Sequence, residues 1–224
     1  MDVSKSGEMS LYCCLWKREF EQANRLLDDP SFDVNVPVSY PPLVHCAVYT
    51  KDSKDERGNY IGDEHVQIMR RILQHPTSKR RAVASRKVCS WAMFWVCNYA
   101  QSVTAARLLL NEDNLNLNYH FPGVLPTIHE MMEELKSSTI EMTIQILGAI
   151  LKYRHLGDSV YDLDRYGLSI LDRFICNKYI HCYDLDSTEN AKQILELLLS
   201  VKGLSKVSGK TLALAGTCCL ASGI

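Results

Sequence analysis

The sequence predicts an all-α fold in which about five helix-turn-helix units stack side by side as a solenoid, closed by an incomplete C-terminal unit. Three observations carry this. Five helical runs end in an apolar pair, at Leu27, Leu73, Leu110, Leu151 and Leu199, so a similar element recurs after 46, 37, 41 and 48 residues. Another helical run precedes most of them, and in both members of a pair the apolar residues return at three- and four-residue spacing. No stretch keeps a convincing strand alternation. A two-helix unit of this size has one apolar face that it cannot bury alone, so the units must bury it against one another.

Taken in order, the first helices are read over 10–16 (SLYCCLW), 42–50, 88–100, 125–136 and 168–178, and the second helices are the runs that close on the five apolar pairs. A last run, 210–220 (KTLALAGTCCL), has no second helix after it and would serve as a cap. The units span approximately 9–38, 39–82, 86–120, 124–162 and 164–205, with the cap at 208–224, in one continuous domain. Two polar, Asp-rich stretches, 51–64 and 179–190, read as loops between paired helices.

Composition bounds the function. Of 224 residues 46% are apolar and 23% charged, which is ordinary globular composition with enough apolar material for a core. A formal net charge of −1 argues against a protein that coats nucleic acid through bulk positive charge. No run reaches 18 apolar residues, the opening MDVSKSGEMSLYCCLW has no apolar signal core, position 2 is Asp, and the fourth residue from the end is Ala221. No membrane span or lipid anchor is expected, and the expected location is cytoplasmic or nuclear. Nine cysteines, an odd number, are expected to be reduced thiols that act mostly as small core residues.

Turn chemistry narrows the architecture. Asp164-Arg165-Tyr166-Gly167-Leu168-Ser169-Ile170-Leu171 resembles the D-x-x-G-x-[ST]-x-L opening of an ankyrin repeat, in which Gly permits the tight turn and Ser or Thr caps the first helix. Pro42-Leu43 with Cys46-Ala47, and Lys210-Thr211-Leu212-Ala213, resemble the helix start of the same repeat. RLLDDPSFDVN (25–35) and RLLLNEDNLNLN (107–118) resemble its second helix and connector, with Asn35 and Asn118 where the family often has Asn. The chain is thus similar to a divergent ankyrin-repeat protein along nearly its whole length. Its average spacing of 43 residues exceeds the standard ankyrin period of about 33 and also suits HEAT or armadillo units of about 40–47. The turn residues favour ankyrin. The resemblance implies a stack of helical pairs with a concave face beside projecting connectors, and Gly167 in a left-handed or turn conformation.

Little in the sequence points to catalysis. The Cys and His residues include adjacent pairs (Cys13-Cys14, His45-Cys46, His181-Cys182, Cys218-Cys219) and others set apart, such as Cys89 and Cys97, and none forms the C-x-x-C pairs of a structural zinc site. Neighbours on a helix point about 100° apart. No metal or cofactor is expected. His129-Glu130 lacks the second His of a zinc hydrolase helix, and no phosphate loop or dinucleotide fingerprint occurs. A helical-repeat enzyme using a Cys/His pair in a thiol hydrolase-like way stays open as the alternative, with His45-Cys46 or His181-Cys182 supplying a member.

Two clusters suit binding. Lys79, Arg80, Arg81, Arg86 and Lys87 put five cations into nine residues of the connector between the second and third units, where the bland alternative is a solvated loop. Trp91, Phe94, Trp95 and Tyr99 follow on one short helix, which cannot bury all four on one face. Arg80, Arg81, Arg86 and Lys87 are read as steering charges for an acidic partner protein, with Trp91 or Trp95 as its anchor. Glu130, Glu133 and Glu134 form an acidic edge on the next unit, and the Asp-rich stretches are the second choice for an interface. The expected function is a non-enzymatic protein-interaction scaffold or adaptor, without a small-molecule substrate.

Overall fold

Helices of about seven to fifteen residues are marginal in water, so each depends on the neighbour it packs against, and several are also started by a side-chain cap. The computed structural model of the chain describes residues 10–34, 41–78, 86–113, 115–119, 123–135, 139–153, 163–176 and 185–201. The Ser10 hydroxyl accepts from the Cys13 amide and starts helix α1 (Leu11–Lys17). Arg18, at φ 60°, turns the chain into α2 (Phe20–Asp28). Pro42 opens α3 (Pro42–Tyr49), where its missing N–H costs nothing. Strands β1 (Asp52–Lys54) and β2 (Tyr60–Gly62) pair antiparallel, with Ser53 opposite Ile61. Asp63 then caps α4 (Glu64–Gln74) through the Val66 amide.

Helix α5 (Arg86–Trp95) continues into a π-helical turn, Val96–Ala100, which ends at Gln101 with φ 51°. Ser102 caps α6 (Val103–Leu109), its hydroxyl accepting from the Ala105 amide. Helices α7 (Thr127–Glu133), α8 (Ile140–Leu151), α9 (Ile170–Cys176) and α10 (Leu185–Leu199) follow.

Packing runs between neighbours in two rows. In the first, α1 lies on α3, α3 on α5 and its π turn, the π turn on α7, and α7 on α9. In the second, α2, α4, α6, α8 and α10 each pack against the next. Across the rows α1 meets α2, α3 meets α4 and α5 meets α6, and one apolar core extends from Leu11 to Leu198. Leu43, Met69, Met93, Leu109, Met132 and Ile146 are among its fully enclosed side chains. The chain is predominantly helical, as the apolar spacing predicts.

Two expectations need correction. The stretch 51–64 holds a β-hairpin and the cap of α4 rather than an irregular loop. Its Asp55 turn is tied locally: the Asp55 carboxylate accepts from the Arg57 and Asn59 amides, with Gly58 at φ 78°. Residues 185–190, read as loop, are the opening turns of α10. Gly167 has φ 71°, the left-handed conformation its motif requires. The C-terminal half-unit 210–220 and cap 208–224, Asn35, and residues 179–184 lie outside the described residues.

Candidate functional site

The expected site is only partly described. Lys79, Arg80 and Arg81 lie outside the described residues, Arg86 begins α5, and Lys87 is exposed. Trp91 and Trp95 are half-buried and packed against the core, Phe94 is buried, and Tyr99 is the exposed member of the group, at 59%. The Tyr99 and Trp95 ring centroids are 4.4 Å apart, so the exposed ring extends a half-buried one. Enclosed beside them, Trp95 Nε1 and Asn98 Oδ1 have no hydrogen-bond partner. The π turn beneath this group is a backbone form found mostly as single turns, often at functional sites.

A second group, marked by no sequence motif, sits on α1, α3 and the start of α4. Leu15, Trp16, Arg18, His45, Tyr49 and His65 line an open cavity of about 390 Å³. Trp16 is 63% exposed and Tyr49 44% exposed, whereas the two imidazoles are buried. The His45 ring meets Tyr49 at 4.7 Å, Tyr12 edge-on at 5.4 Å and Trp16 at 6.1 Å. Burial and the neighbouring His65 charge hold the His45 pKa below its ordinary value, against a raising hydrogen bond to the Leu15 backbone. Tyr12 and Trp16, and likewise His45 and Tyr49, are four residues apart on their helices, and that spacing is the signal the sequence holds for them.

Asp63 holds the His65 ring in place. Its Oδ1 accepts from the Thr50 hydroxyl at 3.1 Å and the Val66 amide at 3.3 Å. Its Oδ2 takes the Lys51 amide and His65 Nδ1, both at 3.1 Å. Burial alone would raise this carboxyl, but the His65 hydrogen bond and charge, with the Val66 and Thr50 bonds, outweigh it and hold the pKa below the ordinary range.

The Asp-rich hairpin is not a free acidic surface. Asp52 accepts from the Ser102 hydroxyl at 2.7 Å and the Thr104 amide at 3.1 Å, tying β1 to the start of α6. Asp55 holds its own turn and Asp63 caps α4, so these carboxylates are engaged within the fold. In the other stretch Asp184 is outside the described residues and Glu189 lies on α10. The acidic edge is also partly occupied: Glu133 accepts from Arg173 at 2.7 Å, and Glu130 is half-buried, its pKa raised by burial.

Four thiols, Cys14, Cys46, Cys89 and Cys97, are buried. Burial raises the pKa of each, that of Cys89 to about 12, which disfavours the thiolate that metal binding or nucleophilic attack would need. Cys13 is exposed. His181, Cys182, Cys218 and Cys219 lie outside the described residues. Among the described residues no three His, Cys, Asp or Glu side chains converge to hold a metal ion, and no helix is long and apolar enough to cross a membrane. No protein-family model, curated protein or solved structure matches this chain.

Proposed function

We propose that this chain is a non-enzymatic interaction scaffold of ankyrin-like solenoid type, working in the cytoplasm or nucleus, which binds a partner protein along its first row of helices. One observation carries the reading: Trp16, Tyr49 and Tyr99, exposed aromatics, occur at or near the C-terminal ends of α1, α3 and the α5 π turn, which pack in succession. Exposed large rings arranged along one row suit a binding surface, because Trp and Tyr contribute disproportionately to interface energy. The ankyrin-like assignment draws on the Asp164–Gly167 turn, the reciprocal Ser169–Asp172 capping pair ahead of α9 and the two-row packing. Lys87 and the other connector cations would steer an acidic partner to this row. A thiol hydrolase would call for an accessible, activated thiol beside a histidine, and the four enclosed thiols have the opposite character.

The test is the affinity of a captured partner for Trp16→Ala and Tyr99→Ala variants. Each is expected to weaken binding by about tenfold or more while leaving the melting temperature nearly unchanged, since the rings are exposed. Undiminished affinity in both variants would refute the reading.

A further inference from the structure

A buried imidazole joins the first two helices of the first row. His45 on α3 is 3% exposed, and its ring lies among Tyr12 and Trp16 of α1 and Tyr49 of its own helix, with its centroid 6.4 Å from that of His65. Its hydrogen bond to the Leu15 backbone favours the protonated ring, so a ring N–H donates and the carbonyl accepts. That carbonyl also takes the Arg18 amide at 3.1 Å, so His45 bonds to α1 where the chain turns towards α2. The neutral ring thus ties α3 to α1 through one N–H, and a further proton goes to its other nitrogen.

A charge on this ring is opposed from two sides. Burial removes it from water, and His65 is the neighbouring charge that acts on it. Arg18, which lines the same cavity, has the same sign. Asp63 is already engaged by the Thr50, Lys51, Val66 and His65 donors. Helix α5 and its π turn, also packed on α3, hold the thiols of Cys89 and Cys97, which burial keeps protonated. Tyr12 and Tyr49 meet the imidazole with their rings.

We infer that the α1–α3 junction is an acid-released latch: when His45 takes up a second proton, α1 loosens from α3 and carries Trp16 out of the first row. Helix α1 is the element that gives way. It has seven residues, too few to hold a helix alone, and packs chiefly on α2 and α3. Because burial and His65 hold the His45 pKa below its ordinary value, the closed junction binds fewer protons than the open one. Closure is therefore fully present above about pH 6.5 and is lost as pH falls below it, by at most about tenfold per pH unit for one proton. The inference rests on the scaffold reading only for its consequence, an aromatic-row interface that weakens in acid.

The test is amide hydrogen exchange of the full chain, read by NMR as protection factors at about pH 7.5 and about pH 5.5, on either side of an ordinary imidazole pKa. Protection of the Cys14 and Leu15 amides should fall about three- to tenfold on acidification, while that of Ile146 and Leu147 in α8 should hold. His45→Gln keeps an N–H for the Leu15 carbonyl but does not titrate, and should abolish the dependence in α1. In the unaltered protein the His45 ring resonances should titrate below about pH 6.5, a readout that stands even if the variant does not fold. Protection in α1 that is unchanged or rises in acid, as a cation caged by the surrounding rings would give, overturns the latch. So does an equal fall in α8, a pH dependence that survives in His45→Gln, or a His45 midpoint at or above about 6.5. No partner enters the experiment, so such a failure removes the latch and leaves the scaffold reading to its own test.

Discussion

Asp164 joins a turn to a helix through one side chain. Its Oδ1 accepts from the Tyr166 and Leu168 amides, its Oδ2 from Arg173 Nε at 2.6 Å, and Gly167 beside it turns the chain at φ 71°. A β-carbon at that φ is strained, so Gly167→Ala should lower stability by about 1 kcal/mol in denaturant unfolding. Burial opposes the Asp164 charge, but the Leu168 amide and Arg173 outweigh it and depress the pKa. A depressed carboxyl contributes stability above its unfolded pKa, about 3.9, and loses it as pH falls through the folded value. The stability gap between the unaltered protein and Asp164→Asn should therefore be widest near neutrality and close progressively below about pH 4. A gap independent of pH would show that the charge does not matter.

Among the helices and strands, the legible ones are those set by neighbours in sequence. Helices α4, α6 and α8 follow from apolar spacing, and the Asp164–Gly167 turn follows from four residues. The hairpin does not. Asp-Ser-Lys and Tyr-Ile-Gly lack strand alternation, and what holds them is remote: Asp52 reaches Ser102 and Thr104, and Lys54 reaches Glu141 at 2.6 Å. The start of α10 is likewise hidden, because the polar run of 185–190 reads equally as loop. Asp52 predicts a separable effect. Asp52→Ala should destabilise by about 1 kcal/mol, as loss of a helix-capping contact does, and should raise amide exchange at Thr104 and in β1 before elsewhere. Exchange rising uniformly along the chain would mean that the contact is not local. The aromatic cavity is half legible: one-turn pairs mark its walls, but only folding brings α1 and α3 together around His65.

Neighbour-to-neighbour packing gives the chain two long rows with different surfaces. The first carries Trp16, Tyr49 and Tyr99, whereas the exposed positions Arg25, Arg70 and Arg107 lie on α2, α4 and α6 of the second. A partner held by aromatic anchors should therefore contact one row only. Photo-crosslinking reports which row it is: a benzophenone side chain replaces Trp16, Tyr49 or Tyr99, and in parallel Arg25, Arg70 or Arg107, and the captured partner is irradiated with each variant. Adducts are expected from the three first-row positions and from none of the second-row ones. Adducts confined to the Arg25, Arg70 and Arg107 positions would overturn the aromatic-row interface and put the partner on the second row.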